Sequence, residues 1–456
     1  MEAKNSSPQI NTDEAVKSEK ENKEQHSSHH SSHHSSSHHS NHHSHHSSRS
    51  SSGNKKLRKF KRSIRKNRKN LIKTGIALAI LILLIATAAI ANEITIRNIS
   101  NAGEEKTVQT KNSINIQVPL YTDEVSLFSP AVTDYLKVHS STVAGDFFDD
   151  YYTETVNRLD VGMPVKLPCS VGGIPDGITV NNTEIVLSEN SDYSGAKVYN
   201  IQGQSNGLEI YRLKTGTQYF YRISFELSNG YVTSNEGSFK TKETPRILNV
   251  DGVYNLRDVG GWTTIDSKTI KQGLLYRGTE IDGAVESKYT ITADGINVML
   301  GEFGIRCDMD LRSTSEIKSS VSPLGDGVYH RIYNAPMYCG AFEADGKNAM
   351  KNIFADLANE SNYPVYMHCT HGLDRTGTVC YILGAILGMS DEDLMREYQL
   401  SSLYHNNLWA LNDMYDFVEE LATYPGYTTQ EKAQNYLLSI GVTQYEIDSI
   451  KDIFTN

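Results

Sequence analysis

The alternation of apolar and polar positions is sharpest between residues 219 and 227. Tyr219, Tyr221, Ile223, Phe225 and Leu227 share one parity, and Phe220, Arg222, Ser224 and Glu226 share the other. A period of two predicts a half-buried β-strand. Ser228-Asn229-Gly230 is a turn signal, and Tyr231-Val232-Thr233 begins a return strand. Glu184–Leu187 and Ala196–Tyr199 read as further strands, so residues 156–245 are expected to form an all-β, sandwich-like module. Upstream, Ile94–Ile96 and Ile114–Val118 are short strand candidates, while Phe147–Tyr152 shows no clear period. Residues 92–155 are therefore expected to be a β-containing stalk. Past the linker around Pro245 the pattern becomes mixed. Gly273–Gly278, Gly304–Ser313 and Val365–Met367 look like buried strands, and Val379, Ile382, Ala385 and Ile386 fall at helical spacing. Residues 246–456 are expected to fold as an α/β domain, a central sheet flanked by helices.

A different pattern precedes these modules. Residues 74–91 form an uncharged run that as a helix would span roughly 27 Å, just enough for a hydrocarbon core. Residues 55–70 before it carry ten Lys/Arg and no acid. The expectation is a basic juxtamembrane segment at 55–73, one transmembrane helix at 74–91, a cytoplasmic N-terminus and an extracytoplasmic body in a single-pass protein of the cell membrane. A cleaved export signal ending at Ala89-Ile90-Ala91 is the alternative. Residues 1–54 are polar and of low complexity, with eleven histidines between His26 and His46, and are expected to be a disordered tail. The first 73 residues carry a net +10, which leaves −20 on the remainder of a chain of net −10. An acidic body excludes nucleic acid as the natural partner. The five cysteines are widely spaced and give neither a disulfide framework nor a metal-ligand pattern, so no metal or cofactor is expected.

The chemistry concentrates at His368-Cys369-Thr370-His371-Gly372-Leu373-Asp374-Arg375-Thr376-Gly377. A short apolar strand ends at a cysteine, a tight turn follows, and a helix begins. Helix N-termini and inward-pointing loop amides bind oxyanions. A free thiol is mostly protonated at neutral pH, and such a loop, with Arg375, would favour the thiolate form of Cys369. The same donors, from Thr370, His371, Gly372, Leu373, Asp374 and Arg375, would hold the non-bridging oxygens of a phosphate. Arg375 could grip two of them where a lysine could not. Thr376 could donate its hydroxyl to the sulfur, and His368 could orient the nucleophile.

The Cys-x5-Arg string resembles the cysteine-dependent phosphatases of the protein tyrosine phosphatase superfamily. Asn255-Leu256-Arg257-Asp258-Val259-Gly260-Gly261, Asp310-Leu311-Arg312-Ser313 and Glu397-Tyr398-Gln399-Leu400-Ser401 narrow the likeness. Together they are similar to the bacterial tyrosine phosphatase family, whose members include dual-specificity and phosphoinositide-active enzymes, over roughly residues 247–455. The resemblance implies a phosphocysteine intermediate and a general acid within the loop, Asp374. Asp310 is the next candidate for that acid, or else a group that positions the loop. Arg257 and Asp258 are expected to support the site. Phosphoinositide-active members often carry Lys before the loop Asp, where this chain has Leu373. Leu213–Tyr219, the aromatic strand and Gly237–Thr241 also resemble the second half of a fibronectin type III module.

The expected activity is hydrolysis of phosphomonoesters, with a phosphorylated protein or a small phosphomonoester as substrate. Phosphotyrosine leads, and dual specificity stays open. The alternatives are a phosphatase of phosphorylated lipids or sugars and a catalytically silent surface-binding protein.

Overall fold

The computed structural model describes residues 114–138, 142–149, 151, 158–404 and 411–455. The expected membrane-spanning helix, and with it the membrane as a partner and the single-pass topology with an extracytoplasmic catalytic domain, is corrected here. Among the described residues no helix is long and apolar enough to cross a membrane. The longest of them, at Ala344–Leu357 and Asp374–Leu387, have 14 residues each. At about 1.5 Å per residue that length falls short of a hydrocarbon core. The run 74–91, the basic segment 55–73, the tail 1–54 and the strand candidate Ile94–Ile96 lie outside the described residues.

The described residues between 114 and 149, expected in the stalk, divide between two cores. Strand β1 (Asn115–Gln117) packs Ile116 into the β region. Helices α1 (Pro130–Tyr135) and α2 (Ala144–Phe148) instead send Val132, Tyr135 and Phe148 into the core of the α/β domain. Aromatic residues without a readable period therefore mark a short helix docked on a neighbour.

The β region follows with β2 (Val165–Pro168), β3 (Ser170–Gly172), β4 (Val180–Ser188), β5 (Lys197–Gln202), β6 (Gly207–Ile210), β7 (Gln218–Leu227) and β8 (Val232–Lys240). Its main sheet is antiparallel in the order β5-β4-β7-β8, with two-stranded ribbons β1-β3 and β2-β6. The alternation of β7 is realised in full: Tyr219, Tyr221, Ile223, Phe225 and Leu227 are buried and the intervening side chains are not. The turn at Ser228–Gly230 closes with Gly230 at φ 81° and its N–H on Leu227 O. One face of the sheet thus supplies a continuous apolar layer under the two ribbons.

The α/β domain is built on a six-stranded sheet. In chain order its elements are β9 (Arg246–Ile247), β10 (Arg257–Asp258), β11 (Leu275–Gly278), α3 (Ala293–Gly301), β12 (Cys307–Asp310), β13 (Tyr329–Ile332), α4 (Ala344–Leu357), β14 (Val365–His368), α5 (Asp374–Leu387), α6 (Asp391–Gln399), α7 (Leu411–Leu421), α8 (Thr429–Ser439) and α9 (Gln444–Thr455). The sheet order is β13-β12-β14-β11-β10-β9. The four strands from β13 to β11 are parallel, and β10 and β9 close the edge antiparallel. Side chains alternate across it: Leu275, Met309, Val365 and Met367 join the core with α4 and α5, while Tyr276 and Tyr366 join the one with Met299 and Phe303. Strand β14 is central and buried throughout, and α5 is sheathed in protein for nearly its whole length. Because the parallel strands run the same way, their C-terminal ends converge on one edge, where ligands of open α/β sheets bind.

Arg246 joins the β region to this domain. Its guanidinium donates to Asp258 Oδ2 at 2.6 Å and to the carbonyls of Leu213 and Arg212 at 3.0 and 2.8 Å. Gln272 Nε2 adds a bond to Thr215 O at 2.9 Å. Arg246→Ala would leave the Asp258 carboxylate buried without its cation, and is expected to lower the unfolding free energy by about 3 kcal/mol. Chemical denaturation measures this. The paired variant Arg246→Met with Asp258→Asn, which removes both charges, is expected to lose less than the single one.

Candidate active site

The loop between β14 and α5 is held from behind by its carbonyls. Thr370 O accepts from Glu280 N at 3.0 Å. His371 O accepts from Asn255 Nδ2 at 3.1 Å, and Gly372 O accepts from Arg277 Nη2 at 2.6 Å. In a planar trans peptide the N–H points opposite to the C=O. Tying these three carbonyls outward therefore turns the amides of His371, Gly372 and Leu373 to the other side of the loop. The first turn of α5 adds N–H groups without intrahelical acceptors. Gly372 is fixed by shape: its φ is +65°, and a Cβ there would sit 2.3 Å from Gly278 O. Cys369, at the start of the loop, is buried and its thiol is free, as are the other four cysteines.

Two guanidiniums and one carboxylate form the wall behind. Arg277 Nη1 donates to Glu397 Oε2 at 2.6 Å, and Arg257 Nε to Glu397 Oε1 at 2.7 Å. Arg257 also donates to Asn255 Oδ1 at 2.6 Å and Ser401 Oγ at 3.1 Å, and so fixes the amide that holds the loop. Burial, followed by repulsion from Arg277, pushes the Arg257 guanidinium down to about 10. Glu397 stays below the usual carboxylate range because the two arginines outweigh the effect of its burial. Asp258 acts elsewhere. It takes Arg246 and the N–H groups of Gly260 and Gly273, so Arg257 supports the loop and Asp258 supports the sheet edge.

At the mouth, Arg375 donates from Nη1 and Nη2 to the two Glu316 oxygens at 2.8 and 2.7 Å. These bonds hold Glu316 down to about 2. Asp374 accepts from the Tyr338 hydroxyl at 2.5 Å, and Tyr338 shares a 2.8 Å bond with Tyr398. Tyr338 is buried with φ +51°, a backbone state that bulky residues rarely adopt. The Thr376 hydroxyl is buried without a hydrogen-bond partner among the described residues, so the expected bond to the Cys369 sulfur is not made here. Leu373 is buried in the core, so only its backbone faces the loop. His371 Nδ1 lies 3.2 Å from the Tyr289 hydroxyl, and the rings of Tyr289, Tyr254 and Tyr404 pack together beside it.

Below the loop lies a second charged cluster. Asp310 takes Arg312 Nη2 at 2.7 Å, and His368 Nε2 lies 2.9 Å from Asp308 Oδ1. Asp310 is fully buried and committed to Arg312, which fits a positioning group and not an acid that meets substrate. Burial opposes a charge on His368, but the carboxylates of Asp310 and Asp308 prevail and push the imidazole up to about 9. Among the described residues no cluster of three or more His, Cys, Asp or Glu side chains is arranged to hold a metal ion.

The structure therefore brings Cys369, Asp374, Arg375, Thr376 and the loop amides to one place, with Arg257 behind and His368 and Asp310 beneath. Sequence reasoning missed Glu316, Tyr338, Arg277, Asn255 and Glu280 as members of the site. Asn255 and Glu316 stood within or just past strings already singled out, but their partners are 116 and 59 positions away.

An α/β sheet that ends a central strand in a cysteine-bearing, anion-shaped loop defines the class of protein. Residues 248–455 match the model of the tyrosine phosphatase family, and a domain of that family occupies this part of the chain. No curated protein matches the chain. The match supports a phosphatase-type hydrolytic function for this domain.

Two outcomes are expected. Gly372→Ala must displace the loop from Gly278, and misplacement of this order lowers kcat/KM by about 100-fold in a phosphatase assay. The second concerns pH. The His368 imidazole ordinarily titrates at 6.5 and here at about 9. Its charge contributes stability in full below the ordinary value, and that contribution is lost as pH rises through about 9. Denaturant titrations between pH 6 and 9.5 should show stability falling in the wild type and a flatter profile in His368→Asn.

Proposed function

We propose that this domain hydrolyses phosphomonoesters through a phosphocysteine at Cys369, with phosphotyrosine in proteins as the preferred substrate. The observation that carries the reading is the loop whose carbonyls are tied outward by Glu280, Asn255 and Arg277, with Cys369 at its start and Asp374 and Arg375 at its end. The Cys369 thiolate attacks phosphorus, and the bond to the leaving oxygen breaks. The loop amides take the charge that spreads over the equatorial oxygens. Glu316 occupies one N–H on each terminal nitrogen of Arg375, which leaves the remaining guanidinium donors for phosphate. Asp374 gives its proton to the leaving oxygen. In the second step its carboxylate takes a proton from water, water oxygen attacks phosphorus, and the sulfur leaves as thiolate. The Thr376 hydroxyl, buried without a hydrogen-bond partner among the described residues, would donate to that sulfur as it leaves.

Tyr338, donating to Asp374, steadies the carboxylate that exists between the two steps. The tyrosine rings beside His371 support an aryl substrate, since aromatic walls pair well with aryl groups. The β region we read as a fibronectin type III-like spacer.

Cys369→Ser is expected to abolish turnover of p-nitrophenyl phosphate, and persistence of activity would sink the assignment. Asp374→Asn should slow the phosphorylation of Cys369 by 10²–10⁴ on an alkyl phosphate and far less on p-nitrophenyl phosphate, whose leaving group hardly needs a proton, so that p-nitrophenol appears as a burst followed by slow turnover. Tyr338→Phe should show the same leaving-group dependence at about a tenth of that size. A panel of phosphopeptides, inositol phosphates and sugar phosphates ranks the substrates, with the phosphotyrosine peptide expected first.

A further inference from the structure

The matched domain begins at residue 248, yet the loop is held in part by a residue before it. Asp160 is buried, at 2% exposure. Its Oδ2 accepts from the backbone N–H of Asn255 at 2.7 Å. Its carboxylate also takes Arg158 Nε at 2.9 Å and Nη2 at 3.1 Å, which lays the Arg158 guanidinium 4.0 Å over the Tyr254 ring. Asn255 itself stands at φ +52°, in the left-handed region that non-glycine residues enter only when their surroundings enforce it. In that conformation its carboxamide reaches the carbonyls of His371 and Gly372 at 3.1 and 3.3 Å and Ser401 Oγ at 3.2 Å.

The same upstream segment grips the helix that carries Glu397 and the turn that carries Ser401. Leu159 N donates to Leu403 O at 2.9 Å, and Ala144 N donates to Gln399 Oε1 at 2.9 Å. In return Arg396 donates to the carbonyls of Tyr135 and Val138. These hydrogen bonds and the Arg158 contact thus fall on Asn255, on Tyr254, or on the helix and turn that support the loop, and Val132, Tyr135 and Phe148 are buried in the core of the domain.

We propose that the described residues between 130 and 160 form a clamp that is part of the catalytic unit, and that Asp160 is a positioning residue that sets the phosphate loop through Asn255. The inference rests on the phosphatase reading above. Asp160 touches no substrate. It holds the Asn255 backbone in its left-handed state, and the carboxamide then fixes two of the loop carbonyls, hence two of the inward amides.

A double-mutant cycle on the full-length protein tests this, with p-nitrophenyl phosphate turnover as the readout and thermal melting as the check on folding. Asp160→Ala is expected to lower kcat by about 10- to 100-fold, the worth of a charge-assisted hydrogen bond made to the transition-state geometry, with KM moved less. Asn255→Ala should lose a similar factor. In the Asn255→Ala background, Asp160→Ala should cost less than about twofold more, because the carboxamide it positions is gone. Asp160→Asn, which keeps an acceptor oxygen and the side-chain shape, should retain most of the activity and secures the cycle if the alanine variant does not fold. Asp160 variants with wild-type kcat, or effects that multiply fully with Asn255→Ala, would overturn the clamp. A wild-type protein without turnover would overturn the phosphatase reading itself, so the two failures are distinguishable.

Discussion

The site depends on one buried arrangement, the carboxylate of Glu397 shared by Arg257 and Arg277. Bringing three charges out of water costs several kcal/mol for each ion. Here the arrangement leaves one net positive charge directly behind the loop. It also supplies two outcomes that no apolar packing could: a guanidinium on Gly372 O and a fixed orientation for Asn255. Both pull carbonyls back and send amides forward. In the proposed reaction a thiolate and a phosphate would meet a cation and a set of N–H groups that need no reorganisation when charge develops.

The surrounding fold serves that arrangement. The parallel strands bring Cys369, Arg277 and the Asp310 cluster to one edge of the sheet, and α6 delivers Glu397 from the far side of the chain. Glu316 reaches back to Arg375, and Tyr338 to Asp374, so both of these side chains are held by residues from other elements. The β region is fastened through Arg246 and Gln272, while the segment before it threads onto the helix that carries Glu397. Sequence order and structural order therefore cross: the described residues between 130 and 160 precede the β region in the chain but contribute to the core of the domain that follows it.

What was legible in the sequence was local. The β7 alternation, the turn at Gly230 and the strand-loop-helix around Cys369 each depend on neighbours a few residues apart. The chemistry of the loop could also be read, because cysteine, glycine and arginine at that spacing leave few other uses. Long-range pairings could not. Nothing in Glu316 says that it will meet Arg375, and nothing in Asp160 says that it will meet Asn255, because such partners are set by tertiary packing. Helices α1 and α2 were missed for the same reason: they are too short to show a period and exist by docking their aromatic residues. Leu373 shows the limit from the other side. It stands where phosphoinositide-active enzymes often carry Lys, yet the fold turns its side chain into the core. The membrane reading rested on an apolar run outside the described residues, and no described helix replaces it.

The central claim is that Cys369, on a loop set in advance by buried charge, becomes covalently phosphorylated during turnover. Rapid acid quench of the protein with p-nitrophenyl phosphate, followed by peptide mass spectrometry, tests it most directly. The account predicts a phosphoryl adduct on the peptide containing Cys369, enriched in Asp374→Asn, where water is no longer activated. Turnover with no adduct, or with an adduct on another residue, would contradict it.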